Sequence, residues 1–275
     1  MFNSFPSALH HARRGLYRAR ALYRAGANGP SSPEAPPVAG YVIWLNSEQG
    51  LFQDAAGTIP IAPNTRVARW EDQSGHGNHA LDQGVLQQGF PAWPLYRTDV
   101  PINNKPVLLW GDVSKQRLAS AGNVDLGNTG LTLFCVATFL PGAESWRTLF
   151  AFNGPDLLLR EQNQYHRIES YHNSSGAGAS EATAFLENTP YVFAFRFSDA
   201  LNQLRTYRNG AIAATVADNG AMPAPARYAL GGRMDDGIGS FFHGYMAELI
   251  AYPFALSDAD VGAVQQWLAA KYALS

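Results

Sequence analysis

The stretch from Tyr191 to Val216 limits the fold more than any other part of the chain. Tyr191-Val192-Phe193-Ala194-Phe195-Arg196-Phe197 sets aromatic residues at alternate positions, the period that a strand with one buried face requires. Just beyond, two alternating runs flank Asn209-Gly210. Both residues accept positive φ, so the pair predicts a two-residue hairpin between Gln203–Arg208 and Ala211–Val216. Further strands are expected at Tyr41–Leu45, Val107–Trp110, Leu131–Phe139, Thr148–Phe152, Asp156–Leu159, Arg227–Leu230 and Gly244–Tyr252. The chain has 275 residues with 26 Gly and 17 Pro, residue types that interrupt helices and shape the turns between short strands. The pattern predicts an all-β protein, a sandwich or jelly roll. One helix is expected at the end. Ser257 can cap it, Asp258 and Asp260 suit its positive end, and Val261, Val264, Leu268 and Tyr272 form an apolar stripe.

Charge divides the chain into parts. The first 25 residues hold Arg13, Arg14, Arg18, Arg20 and Arg24 and no acid, although the formal net charge of the whole is −2. Residues 1–25 read as a basic amphipathic helical anchor, with Arg13, Arg14, Leu16, Tyr17, Arg20 and Tyr23 as its partner-facing residues. Residues 26–39 are Pro-, Gly- and Ser-rich and read as a linker. The sandwich is expected over 40–275. That body is acidic, which argues against a nucleic-acid partner, because neutralising phosphates needs clustered cations. No apolar run approaches the ~18 residues a membrane helix needs. Arginines interrupt the place where a Sec signal carries its apolar stretch, so synthesis in a cytoplasm without that signal is expected. The single cysteine, Cys135, excludes an intrachain disulfide and sits in a stretch that reads as a buried strand.

Three segments together carry a family resemblance. The first is Ile43-Trp44-Leu45-Asn46 with Gly50-Leu51-Phe52-Gln53-Asp54. The second is Arg69-Trp70-Glu71-Asp72-Gln73-Ser74-Gly75-His76-Gly77-Asn78-His79. The third is Phe242-His243-Gly244-Tyr245-Met246-Ala247-Glu248-Leu249-Ile250-Ala251-Tyr252, continued by Ala255-Leu256-Ser257-Asp258. In order and spacing they resemble the concanavalin A-like lectin/glucanase superfamily, specifically laminin-G-like domains of bacterial and phage type. The resemblance implies a two-sheet jelly roll, often a carbohydrate-binding or adhesion module. Asn46 stands where the family usually has Asp, which would weaken any cation held there.

Catalytic signals are missing. Retaining glycosidases need two carboxylates about 5 Å apart, and the Glu-x-Asp-x-x-Glu array of the laminarinase branch does not occur. Asp72, Ser74 and Asn78 offer oxygen ligands suited to Ca²⁺. The alternative is a turn in which Asp72 and Asn78 bond backbone amides. Asp235-Asp236-Gly237 forms a second acidic loop. Trp93, Trp146, Tyr165 and Tyr171 fall in polar or turn-rich segments, and with His172 and Asn173 they are the candidate carbohydrate contacts; Trp44, Trp70 and Trp110 read as core.

Taken together, these features suggest a non-enzymatic virion or virion-like surface protein. Residues 1–25 would attach it to other assembly proteins of a capsid or tail, within an oligomeric particle, and the sandwich would bind cell-surface polysaccharide. The alternatives are a polysaccharide-active hydrolase with an unrecognised site and a ligand-free structural decoration protein.

Overall fold

A computed structural model describes residues 34–82, 93–111, 116–142, 145–154, 156–162, 165–233 and 240–274. The expected anchor at residues 1–25, the first part of the linker and the Asp235-Asp236-Gly237 loop lie outside the described residues.

In chain order the strands are β1 (Ile43–Asn46), β2 (Leu51–Phe52), β3 (Arg69–Trp70), β4 (Ala80–Leu81), β5 (Leu95–Ile102), β6 (Lys105–Trp110), β7 (Leu118–Ser120) and β8 (Gly130–Phe139). They continue as β9 (Thr148–Phe152), β10 (Leu157–Glu161), β11 (Ile168–His172), β12 (Ala177–Ser180), β13 (Pro190–Ser198), β14 (Gln203–Arg208), β15 (Ala211–Ala217), β16 (Tyr228–Leu230) and β17 (Gly244–Tyr252), followed by helix α1 (Asp258–Tyr272). One sheet runs β15-β14-β13-β8-β17-β6-β5, with β1 sharing the free flank of β17. The other runs β12-β11-β10-β9-β16-β7-β4-β3-β2. All the strand pairs are antiparallel, as the jelly-roll reading requires.

Alternation decides which side chains meet between the sheets. From β13, Phe193, Phe195 and Phe197 enter that core; from β8, Leu131, Leu133, Cys135, Ala137 and Phe139 join them. Burial pushes the Cys135 thiol pKa well up, so it stays protonated and apolar. Val192 and Ala194, and Phe134 and Val136, point the other way, into a second core beneath α1. The Asn209-Gly210 turn has positive φ at both residues, as the hairpin demands. Ser257 caps α1, its hydroxyl accepting from Asp260 N at 3.1 Å, and the four stripe residues are buried.

One difference from the sequence reading has a physical cause. The compact unit carrying the strands begins at Pro36, because Val38 packs into the core under α1 and its carbonyl accepts from Tyr252 Oη at 2.9 Å. Pro36–Ala39 thus belong to the body and not to the linker. A bulge in β17 between Met246 and Glu248 turns both Ala247 and Glu248 toward α1. Glu248 is fully buried there. Trp44 Nε1 donates to its Oε1 at 2.6 Å, and Lys271 Nζ and Tyr272 Oη donate to Oε2 at 2.7 and 2.8 Å. Burial raises its pKa, and Lys271, Trp44 and Tyr272 counter only part of that. Among the described residues no helix is long and apolar enough to cross a membrane.

Candidate functional site

The outer surface of the second sheet is ordered by strand register. Arg160 on β10 lies opposite Glu169 on β11, which lies opposite Ser180 on β12. The neighbouring row is Leu158, Tyr171 and Gly178. Arg160 Nε donates to Glu169 Oε2 at 2.8 Å, and Ser180 Oγ donates to Glu169 Oε1 at 2.6 Å. The Arg160 guanidinium sits between two aromatic faces, 4.2 Å from the Trp146 ring centre and 4.4 Å from that of Tyr171. Aromatic faces are the negative end of the ring quadrupole, so a cation between two of them holds both rings in place. A Cβ on Gly178 would come within 3.0 Å of Glu169 Oε1 and 3.5 Å of the Tyr171 ring. Glycine there lets the carboxylate and ring lie flat on the sheet.

A second cluster lies on the other side of the same strands: Glu161 follows Arg160 and faces the inter-sheet side, opposite the core residue Ile168, and the Arg147 guanidinium sits 5.0 Å from the ring centre of the core residue Phe139. The Arg147 and Glu161 side chains are almost wholly buried. Arg147 donates from Nε to Glu161 Oε2 at 2.5 Å and from Nη2 to Glu161 Oε1 at 3.0 Å, a two-point contact. Its Nη2 also reaches Glu187 Oε1 at 2.9 Å, and its Nη1 donates to the Leu140 carbonyl. Burial opposes the Arg147 charge, but the two carboxylates outweigh it and hold its pKa above the ordinary value. At Arg160 burial prevails over Glu169, and the guanidinium pKa falls below its ordinary value. His166 Nδ1 lies 2.9 Å from Glu161 Oε1, with 40% of its side chain exposed. Beside it Tyr165 is 59% exposed, and Leu186 is 69% exposed. The Phe185 amide donates to the His166 carbonyl, which ties the two segments together.

Backbone conformation singles out one residue in each cluster. Of the described non-glycine residues with positive φ, seven are Asn, which tolerates that region, and Ala273 is the helix cap. The other two are Trp146 (φ 60°) and His166 (φ 52°). Both flank the Arg147–Glu161 pair. A bulky residue held in the left-handed region costs roughly 1–3 kcal/mol, and such strain gathers where a surface has a task.

The structure therefore brings Trp146 and Tyr171 together, with Tyr165 on the neighbouring loop. Asn173 is exposed at the other end of β11, and Trp93 is half-buried beside the first sheet, where its carbonyl accepts from Arg66. His172 requires correction as a surface contact. It is fully buried, and its Nδ1 lies 2.8 Å from Asp218 Oδ2. Alternation along β11 sends Tyr171 out and His172 in. Three hydrogen bonds from Trp44 N, Ser74 N and Asn78 N, and one from Ser74 Oγ, meet the two Asp72 oxygens at 2.7–2.9 Å. Asn78 Nδ2 donates to the Val42 carbonyl at 2.8 Å, and Ser74 Oγ lies 3.0 Å from the same oxygen. This is the turn geometry, pinning the loop to the start of β1; a cation would have to displace these donors. Among the described residues no cluster of three His, Cys, Asp or Glu has metal-binding geometry.

Arg147, Arg160, Glu161 and Glu187 were not singled out from sequence. Their only signal was Arg160-Glu161, adjacent opposite charges closing the apolar run Leu157-Leu158-Leu159.

Comparison with known proteins shows the fold. No family profile matches the chain, and no curated protein matches its sequence. A Trypanosoma rangeli sialidase solved with sialic acid is similar at a TM-score of 0.52 and 14% identity, covering 93% of this chain and 37% of the sialidase. Domain 4 of an extracellular GH43 arabinanase from Geobacillus stearothermophilus, solved with arabinotriose, is similar at a TM-score of 0.53 and 13% identity, covering 83% of this chain and 99% of that domain. The chain thus spans little more than a third of the sialidase and the whole of the arabinanase domain. Its architecture, a two-sheet antiparallel β-sandwich, is shared with these structures.

Proposed function

We propose that residues 36–275 form a laminin-G-like, non-catalytic module that binds a cell-surface glycan across the Trp146–Arg160–Tyr171 face. The observation that carries this reading is the coincidence of the left-handed backbone at Trp146 with a pair of partly exposed aromatic rings held by one arginine. A pyranose presents a C–H face that lies well on an aromatic ring. The arabinanase domain solved with arabinotriose supports reading such a sandwich as a sugar surface. Both carboxylates at the cluster, Glu161 and Glu187, are engaged by Arg147; a hydrolase needs one of its pair protonated or free to attack.

In the same proposal, residues 1–25 attach the module to a virion or virion-like particle through Arg13, Arg14, Leu16, Tyr17, Arg20 and Tyr23, and the linker holds it at the particle surface. The acid-free, arginine-rich sequence followed by a proline-rich stretch supports this arrangement.

A glycan array probed with the full chain tests the lectin reading. Binding that disappears in Trp146→Ala and Tyr171→Ala is expected. Binding that survives both variants, or no binding to any glycan, overturns it in favour of another face or a decoration role. Release of reducing sugar from a bound polysaccharide would instead establish a hydrolase. Deleting residues 1–25 should abolish incorporation into particles while the melting temperature of the sandwich stays unchanged.

A further inference from the structure

The two outer edges of the first sheet are built differently. At one edge, β5 carries Arg97 and Asp99, ion-paired at 2.6 Å, and then Pro101. Its pairing with β6 shifts register between Arg97 and Ile102. Charge, proline and broken register each discourage a further strand from adding. At the opposite edge, β15 reads Ala211-Ile212-Ala213-Ala214-Thr215-Val216-Ala217. It has no charge and no proline, every residue is at least partly exposed, and Ile212 is 53% exposed. Its pairing with β14 shifts register once, at Thr206/Tyr207, which leaves Ala214–Ala217 regular.

An antiparallel neighbour occupies one set of a strand's backbone groups and leaves the alternate set pointing outward. Among the described residues, the outward N–H and C=O groups of β15 meet no other backbone. Alongside runs β12, the edge of the second sheet, with the sequence Ala-Gly-Ala-Ser. The two edges together make an uncharged flank of Ala, Gly, Ser, Thr, Ile and Val. Ala214 and Val216 pack against the core between the sheets while remaining partly exposed, so that core reaches the surface on this side.

We propose that this flank is a homodimer interface, in which β15 pairs antiparallel with β15 of a second copy and joins the two first sheets into one. A second copy fits because the flank carries no charge to complement and none to repel its own image. The two-fold axis falls at Thr215. Directly opposed residues in an antiparallel pair lie on the same face, so Thr215 meets Thr215, and Ala214 of each copy meets Val216 of the other on the inter-sheet side. The core is thereby continued across the junction. The pairing is independent of the glycan reading, and it would set two candidate sugar faces on one particle, where weak binding gains from multivalency.

Sedimentation velocity of the full chain tests the proposal. Concentration-dependent dimerisation below about 100 μM is expected, with at least about tenfold weaker association in Thr215→Lys. Asp99→Lys, at the other edge, should leave association unchanged. Because Cys135 is buried, Thr215→Cys adds the one accessible thiol, and oxidation should link two chains. A wild-type chain that stays monomeric to about 100 μM overturns the proposal. So does association that Thr215→Lys leaves intact. Should Thr215→Lys fail to fold, the cysteine decides, and an absence of linked dimer then refutes the interface.

Discussion

Glu248 and Glu161 are both fully buried carboxylates, each met by a cation and further donors, yet their settings differ. Glu248 lies under α1, on a strand whose bulge was enough to aim it, with indole, ammonium and phenol donors enclosing it. Glu161 lies at a strand end, with Arg147 on one side and the half-exposed His166 on the other. Among the described residues, only beside the Arg147–Glu161 pair is positive φ held by non-glycine residues that are neither Asn nor a cap. The first carboxylate fastens a helix to a sheet. The second supports a surface. Buried charge alone does not mark a candidate site; at Glu161 it is accompanied by left-handed backbone and by the partly exposed His166.

The contrast can be broken most forcefully at Arg147. Arg147→Met leaves Glu161 buried and unpaired, and urea unfolding should show a loss of about 3–5 kcal/mol. Glu248→Gln keeps the shape and an acceptor for Trp44, so a loss of about 1–3 kcal/mol is expected, with glycan binding unchanged. If that variant weakened binding, the helix-side carboxylate could not be purely architectural. Strain at Trp146 is isolated by comparing Trp146→Gly with Trp146→Ala, since both remove the ring. The glycine variant should be the more stable by about 1 kcal/mol while neither binds. Equal stabilities would mean that the left-handed backbone there is not strained.

The smallest effect concerns acid. Burial works against the Asp218 charge, but His172, the Gly220 amide and Ser175 outweigh it and hold the carboxyl pKa below its usual value of 3.8. A lowered pKa means that this contribution is complete above pH 3.8 and is lost as the pH falls through the folded-state value. Asp218→Asn should therefore flatten the melting-temperature profile below about pH 4 while leaving the proposed glycan binding at the Trp146–Tyr171 face intact.

Much of the sandwich was legible because alternation and turn chemistry act locally. Tyr191–Phe197 and the Asn209-Gly210 hairpin declare their geometry within a dozen residues. The two-residue strands β2, β3 and β4 are too short to show a period, and in β11 and β12 polar or small outward residues hide it. The candidate site was half legible. Trp146 and Tyr171 stood out as aromatics in polar surroundings, but Arg160, which joins them, depends on cross-strand register between β9, β10 and β11. His172 misled because one position along a strand reverses the direction of a side chain. The left-handed backbone at Trp146 and His166 has no sequence mark, since the usual mark is Asn or Gly.

The pairing of β1 with β17 sets a timetable for the nascent chain. Ile43 meets Ala251 and Asn46 meets Glu248, so β1 waits for nearly the whole sandwich to be synthesised before it finds its neighbour. Until then β8 also lacks β17 along one flank, leaving an apolar edge open. Contacts so distant in sequence slow folding and prolong exposure to aggregation, which makes release of the last strand from the ribosome the step at which this fold becomes safe.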